Sequence, residues 1–312
     1  MIGRVLSNMD NDGRANATFN NVRALISGLF GKAIVWGYVK DNPVKIIKTR
    51  KAVKRDRFML AHELPRFFVS LGYEPNITLR DYFLIALLTG ARRANVMSMK
   101  WTDIDFKEGI WRIEVTKNGD PQNVTLSPEA IAFLEQRKKL QRDSTYKSPY
   151  VFPGSGSSGH LVEPKKGWKR IFDRDEIMQL DLLIEDAGVE LFPSVNEFNK
   201  NILLEEALAS TLNEAREVAS RLGIATEDVR MPNLRIHDLR RTLGSWQTKT
   251  GASLAIIGKS LNHKSLATTL IYARLDLDPV RAAVNTATSA MMEAGGLTDI
   301  LDFTKQNSGG VP

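Results

Sequence analysis

Cysteine is absent from the 312 residues. That excludes disulfides and thiolate metal sites, and it fits a reducing, cytosolic setting. No apolar run reaches the length that a bilayer span needs. The N-terminal stretch MIGRVLSNMDNDGR has no apolar signal-peptide core. The four histidines include no H-x-x-x-H pair, so a helix-borne zinc site of that spacing is excluded. The one Gly/Ser-rich stretch, Gly154 to Gly159, lacks the lysine of a nucleotide-binding P-loop and reads as a flexible loop. There is no internal repeat.

What is present is positive charge, unevenly placed. The net charge is +7, from 43 Lys and Arg against 36 Asp and Glu. Between Asp173 and Arg230 lie 14 acidic and five basic side chains, which leaves 38 basic and 22 acidic residues for the rest. A strongly basic body with one acidic segment points to a polyanionic partner for the body. A soluble, lysine-rich protein with no such partner is the plainer alternative. The densest basic run is Lys45 to Arg57, with seven basic residues and one acid. It contains Lys45, Lys48, Arg50, Lys51, Lys54 and Arg55, and it reads as an exposed linker able to follow a DNA backbone.

Hydrophobic residues make up 43% of the chain, enough to bury a sizeable core in one large domain or two ordinary ones. Phe19, Val22, Ile26, Leu29, Ala33 and Trp36 recur at helical spacing, so residues 14–38 are expected to form a helix, ended by Asp41-Asn42-Pro43. Further helices are expected over 61–71, over 79–99 with a break near Thr89-Gly90, and from Ser127-Pro128-Glu129 to about Leu140. Trp111, Ile113 and Val115 alternate with Ile110, Arg112, Glu114 and Thr116, the period of a strand. Lys117-Asn118-Gly119-Asp120 reads as a hairpin turn leading to a return strand with Val124 and Leu126. In the acidic segment, Leu204, Leu208, Leu212, Ala215 and Ala219 predict a helix over about 197–222 that Gly223 ends. Helices are also expected over 236–248, 253–260, 265–274 and 279–294, before a polar tail expected to be disordered.

Four groups could carry chemistry. His237 and Arg240 stand three apart, on one helix face. His263, in the turn Leu261-Asn262-His263, precedes Tyr272 by nine residues. Arg92 follows the Gly90 break, and Lys117 sits at the hairpin turn. Taken singly, each also fits a surface helix, a charged turn or a half-buried core tyrosine.

Taken in order, Arg92, Lys117, His237, Arg240, His263 and Tyr272 resemble the functional set of the tyrosine recombinase (phage integrase) family. The surrounding text agrees: LLTGARRANVMSMKWTDID, RIHDLRRTLGSW and GKSLNHKSLATTLIYARL. The resemblance runs from about residue 14 to 292, apart from the acidic segment, and is of the prophage and genomic-island type. It implies a mainly α fold with a small β-hairpin or sheet: a tyrosine recombinase catalytic fold preceded by a partial helical core-binding domain. The implied organisation is a partial core-binding domain over 1–44, a basic linker over 45–57, a catalytic domain over 58–294 and a tail over 295–312. The resemblance also implies a site-specific recombinase that cleaves and rejoins double-stranded DNA, integrating or excising a mobile element in the bacterial cytoplasm, at the nucleoid. Tyr272 would be the nucleophile and would form a 3′-phosphotyrosine link. Arg92 and Arg240 would hold the phosphoryl oxygens, His237 and His263 would add hydrogen bonds, and Lys117 would protonate the departing 5′ oxygen. His237 would assist proton removal from Tyr272, whose phenol, ordinarily titrating at about 10, a cationic pocket would ease toward phenolate. No metal or cofactor is implied, since the arginines supply the charge. The implied assembly is a homotetramer on DNA, with a monomer possible without DNA and no membrane partner. Arg93 and Arg241, adjacent to the matched arginines, point elsewhere on their helices and read as structural or as contacts to the DNA backbone.

Four departures from the family pattern stand out. Asn95 occupies a position that often holds a carboxylate. Asn262 replaces glycine in the Leu-Gly-His turn, where asparagine is the residue best suited to a left-handed conformation. An acidic helical insertion is expected over about 175–230, as surface decoration, as cover for the basic surface or as a surface for a protein partner. Residues 1–50 supply only the end of the core-binding domain that such integrases carry. That shortness keeps a second reading open, a DNA-binding remnant without productive recombination. A type IB topoisomerase shares the pocket chemistry, but the text around Arg92 and Tyr272 is integrase-like.

Overall fold

The computed structural model describes residues 2–52, 55–114, 121–143, 147–191, 205–226, 229–231, 233–272 and 278–294. Lys54, Lys117, the Asn118-Gly119 turn, part of the acidic segment and the C-terminal tail lie outside the described residues. The chain divides into two compact units, Met1–Asp56 and Arg57–Pro312. Among the described residues no helix is long and apolar enough to cross a membrane.

The first unit holds α1 (Ile2–Asn11) and α2 (Asn16–Val35). The apolar stripe expected on α2 is mostly not buried: of its residues Phe19 is, while Leu29 and Trp36 are exposed. A polar stripe organises the unit instead. Asn16, Asn20, Arg23 and Ser27 recur at steps of four and three, on one face of α2. The Asn16 and Asn20 side chains donate to the carbonyls of Lys51 and Arg50 at 3.0 and 2.7 Å, and the Arg50 amide donates back to Asn20 Oδ1 at 2.8 Å. Arg23 donates to Ile47 O, and Asn42 Nδ2 to Ser27 O at 3.1 Å. The segment read as a free basic linker is thus, from Asn42 to Lys51, held along α2 by its own backbone. The Arg50 guanidinium lies 3.5 Å from the Phe19 ring centroid.

The second unit is built around α4 (Ile77–Thr89), whose residues are apolar almost all round and therefore buried on most sides. Asn76 caps its start by accepting from the Leu79 amide at 3.1 Å. Gly90 ends it in the left-handed conformation, at φ 57°. Short α5 (Arg93–Met97) follows, so the expected break at Thr89-Gly90 is real. Against α4 pack α3 (Glu63–Gly72), α6 (Pro128–Asp143) and a three-stranded antiparallel sheet. The strands are β1 (Ile104–Asp105), β2 (Ile110–Ile113) and β3 (Gln122–Thr125), with Trp111 opposite Val124 and Ile113 opposite Gln122. The alternation read from the sequence holds, since Trp111 and Ile113 are buried between outward Arg112 and Glu114. The loop 154–159 closes on itself, because the Gly154 amide donates to Gly159 O at 3.2 Å.

α7 (Lys165–Asp186) is one continuous helix that serves two cores. Its first half puts Trp168 and Phe172 against Phe67 and Phe83, with ring centroids 5.2–6.4 Å apart. Its second half puts Ile177, Leu180 and Ile184 against Leu208, Leu212, Ala215 and Ala219 of α8 (Glu205–Arg221). Between these halves lies Asp173-Arg174-Asp175-Glu176, four consecutive charged residues that are all buried. Arg66 of α3 pairs both nitrogens of its fork with Asp175, at 2.9 and 2.7 Å. Arg230 reaches Asp173 and Glu176 at 3.0 and 2.6 Å, Arg216 reaches Glu176 at 2.6 Å, and Glu74 receives Arg170 and Arg174. Three of the segment's 14 acidic residues, Asp173, Asp175 and Glu176, are therefore internal and paired, while Glu185, Asp186, Glu190, Glu214 and Glu217 are exposed. The remaining helices among the described residues are α9 (Asp238–Lys249), α10 (Leu254–Ser260), the single turn α11 (Leu266–Thr269) and α12 (Asp278–Ala294).

Burial raises the Asp175 carboxyl above its ordinary range, and Arg66 opposes that rise. Arg66→Met should therefore strand a buried carboxylate and lower the unfolding free energy in urea by about 3–5 kcal/mol near pH 8. With Arg66 gone, the folded-state carboxyl titrates higher than the unfolded one. Its penalty is then least at low pH and grows as pH rises, so the loss at pH 5 should be smaller than at pH 8. Equal stability of variant and parent at both pH values would show that the pair contributes nothing.

Candidate active site

The site assembles around Arg240, which sits in the first turn of α9 and is buried there. Arg240 Nη1 donates to Gly90 O at 2.6 Å, and Nη2 donates to Leu261 O. One guanidinium thus joins the end of α4, the start of α9 and the turn after α10. The two carbonyls it uses belong to chain ends whose own helices leave them unsatisfied. Thr242, two residues along the same helix, accepts from the Met59 amide at 2.9 Å and fixes the helix to the entry segment of the unit. The sequence reading placed His237 and Arg240 together on an outer face. The structure gives them different exposure: Arg240 is buried, whereas His237, just before α9, still reaches solvent.

Arg92 precedes α5 and donates from Nη2 to Asn262 O at 3.2 Å. Its Nη1 is buried and has no partner among the described residues. Asn262 adopts φ 48°, the left-handed conformation that the replaced glycine would have supplied. Leu261 and Asn262 therefore present successive carbonyls to the two arginines. His263 follows, with Nδ1 2.9 Å from Thr269 Oγ1. Its ring lies parallel to that of Tyr272, within 4° and at 6.0 Å between centroids.

Tyr272 is 2% exposed and packs with Ile257 and Leu261. The other side of its ring rests on Gly244, where an added Cβ would come within 2.6 Å of Cε1 and Cζ. Gly244 is thus required by close approach, and its sequence context carried no sign of that. Arg93 is exposed, and Arg241 pairs with Asp238 at 2.7 Å. Asn95 has its amide nitrogen buried without a partner among the described residues. Lys117, matched from sequence, lies outside the described residues.

The electrostatics follow first from burial and then from the neighbouring cations. Arg240 is lowered to about 10, by burial first, with Arg92 adding to the effect and Tyr272 opposing it. His263 is lowered to about 4, by burial and then by Arg240, Arg92 and His237. His237 is also held below its ordinary value, by partial enclosure and by Arg240, Arg241 and Arg92, with Asp238 pulling the other way. Tyr272 runs against expectation. Burial raises its phenol above the ordinary value, and Arg240 and Arg241 only partly offset the rise. In this packed state the cations do not make the phenol more acidic, because the ring is removed from water. A cavity of about 650 Å³ lies at the sheet, but it is lined by Asp103, Asp105, Glu108 and Glu114 and by none of these residues. Its charge is the wrong one for a polyanion.

The chain belongs to the Phage integrase family, which it matches over residues 57–179 and 191–278. It is 32% identical over 140 residues to a putative integrase/recombinase of Haemophilus influenzae, covering 42% of this chain and 37% of that protein. It is 36% identical over 126 residues to the shufflon-specific DNA recombinase of Escherichia coli, covering 38% and 32%. These matches span about a third of each relative's length. Among solved structures, it resembles the Tn1549 transposon integrase in complex with circular intermediate DNA, with a TM-score of 0.58 and 14% identity, over 90% of this chain and 82% of that one. The fold is that of the family's catalytic unit, mainly α with one small sheet.

His263 should remain neutral at every pH above about 4, so a nuclear magnetic resonance titration should show its ring protonating only near that value. Between about 4 and the ordinary histidine value near 6.5, the unfolded chain binds a proton that the folded one refuses. Stability should therefore rise with pH across this window, with a shallower rise in His263→Gln. A His263 midpoint at 6 or above would contradict this electrostatic picture.

Proposed function

We propose that the chain is a site-specific DNA recombinase that cleaves and rejoins double-stranded DNA through a 3′-phosphotyrosine intermediate, integrating or excising a mobile element. The observation that carries this is the gathering of Arg92, Arg240, His237, His263 and Tyr272, from segments up to 180 residues apart, around one turn. Membership in the family supports it.

In this reading the scissile phosphate enters beside Arg92 and Arg240. Guanidinium groups pair two phosphoryl oxygens and stay charged, so they stabilise the negative charge that grows during in-line attack. Tyr272 Oη forms the new bond to phosphorus while the bond to the 5′ oxygen breaks. The phenolic proton passes to His237, which is neutral at ordinary pH and open to solvent. Lys117 gives a proton to the leaving 5′ oxygen. His263, neutral, donates or accepts a hydrogen bond without adding charge. A 5′ hydroxyl from a second duplex then reverses the attack. Four such sites are needed to exchange both strands of two duplexes, hence a homotetramer on DNA. Tyr272 must leave its packed position to meet the phosphate, so DNA binding and release of the ring are coupled steps.

Lys45, Lys48, Lys51, Lys54, Arg55 and Arg93 are assigned to the DNA backbone, where they add affinity without sequence readout. Arg50 and Arg241 have the competing tasks described above, on Phe19 and Asp238. The protein is assigned to the bacterial cytoplasm, acting on nucleoid DNA.

The test is incubation with nicked suicide duplexes carrying the junctions of the element that bears the gene. The protein should form a covalent adduct that resists denaturation, and Tyr272→Phe should form none. Arg240→Lys should slow adduct formation by about 10²–10³-fold, since a lysine cannot reproduce the fork. An adduct that persists in Tyr272→Phe would overturn the assignment of the nucleophile.

A further inference from the structure

Gln122 opens β3, five residues after Lys117, and had no role in the sequence reading. By strand alternation it shares the inward face of β3 with Val124, and it is 7% exposed. Its Oε1 accepts from Asn262 Nδ2 at 3.1 Å. Its Nε2 is buried with no partner among the described residues. Arg92 Nη1 is in the same condition, and Arg92 bonds the same residue through Asn262 O. Two buried donors without acceptors therefore flank one asparagine, at the turn on which the catalytic cluster is built.

A buried donor without an acceptor is destabilising, and most are satisfied in native proteins. Two such donors around one residue are best explained by an acceptor that arrives with the substrate. The acceptor must be anionic or strongly polar to suit Arg92, and small enough to reach both groups. A phosphate with two non-bridging oxygens meets both demands. Burial, and after it the neighbouring cations, already hold Arg240, His237 and His263 below their ordinary values. A neutral amide adds a donor there without adding repulsion.

We infer that Gln122 is a further substrate-contacting residue of this site, donating from Nε2 to one non-bridging oxygen of the DNA phosphate held by Arg92. The inference rests on the proposed function for the identity of the phosphate. Its bond to Asn262 fixes the amide so that Nε2 faces the phosphate.

The test uses the full chain and the suicide duplex, with the scissile phosphate as the oxygen form and as each phosphorothioate diastereomer. Sulfur accepts hydrogen bonds poorly, so replacing the contacted oxygen removes what Gln122 supplies. Gln122→Met should slow adduct formation roughly tenfold on the oxygen substrate, a typical loss for one hydrogen bond to a charged group. On one diastereomer alone the gap between variant and wild type should shrink to about two- or threefold. Asn262→Gly keeps the left-handed turn and removes only the bond that orients the Gln122 amide, so it should lose less than Gln122→Met on the oxygen substrate. Equal loss in Gln122→Met on all three substrates would overturn the contact and leave Gln122 as a brace for Asn262. A Gln122→Met rate equal to wild type would also overturn it. A second measurement is independent of cleavage. In ¹⁵N-labelled protein titrated with inorganic phosphate, the side-chain amide signal that Gln122→Met abolishes should shift together with the Arg92 signals. An unmoved Gln122 signal while Arg92 shifts would overturn the inference. Absence of any adduct in the wild type, with a phosphate-dependent Gln122 shift, would count against recombination and leave the phosphate contact standing.

Discussion

Arg240 places its two Nη groups on the carbonyls of Gly90 and Leu261, and the geometry of the site depends on those two bonds. They close three chain segments, the ends of α4 and α10 and the start of α9, around one guanidinium. Everything else in the cluster is referred to them. Asn262 follows Leu261 and offers its carbonyl to Arg92. His263 follows Asn262 and stacks on Tyr272. Gly244, one turn beyond Arg240 on α9, makes room for that ring. The residue assigned to hold the phosphate is thus also the one that builds the pocket, which makes its position more rigid than a surface arginine's. A lysine could carry the charge at this position but could not bond two carbonyls in one plane.

The charge distribution falls into two functional parts. Asp173, Asp175 and Glu176 lie within α7, and their partners come from α3, from α8 and from the segment at Arg230. These pairs join the aromatic core around Trp168 to the smaller core of α7 and α8. Buried pairs of this kind add little net stability, yet they penalise any other register of the helices. The acidic groups on this network neutralise basic partners within the protein. The pocket itself is cationic, and burial together with its cations holds His237 and His263 below their ordinary values, while burial raises the phenol of Tyr272.

That packing makes the proposed chemistry conditional. A tyrosine buried against glycine and stacked on a neutral histidine is a poor nucleophile, since burial disfavours its anion. The same ring brought beside a phosphate that is already paired with two arginines would meet cations without the full burial that now outweighs them. Reactivity in this reading comes from rearrangement on DNA.

Much of the candidate site was legible in the sequence because the proposed chemistry needs particular residue types in a fixed order. Arg92, His237, Arg240, His263 and Tyr272 were named from text alone, as were the break at Gly90 and the left-handed turn at Asn262. Strand alternation in β2 and the helical stripe of α8 were also legible, since periodicity reports which face is buried. Three things were not. The burial of Asp173-Arg174-Asp175-Glu176 and the continuity of α7 depend on partners up to 109 residues away, and a run of charges by itself looks solvated. The docking of residues 42–51 on α2 depends on asparagine side chains reaching backbone, a contact with no hydrophobic signature. Gln122 and Gly244 acquire meaning only from what the fold brings beside them. The sequence by itself determined which functional groups the protein carries and which local turns present them. Tertiary structure alone decided which are buried, which are paired and which donors are left open. Those outcomes depend on desolvation and on distances between segments remote in the chain, and a linear pattern records neither.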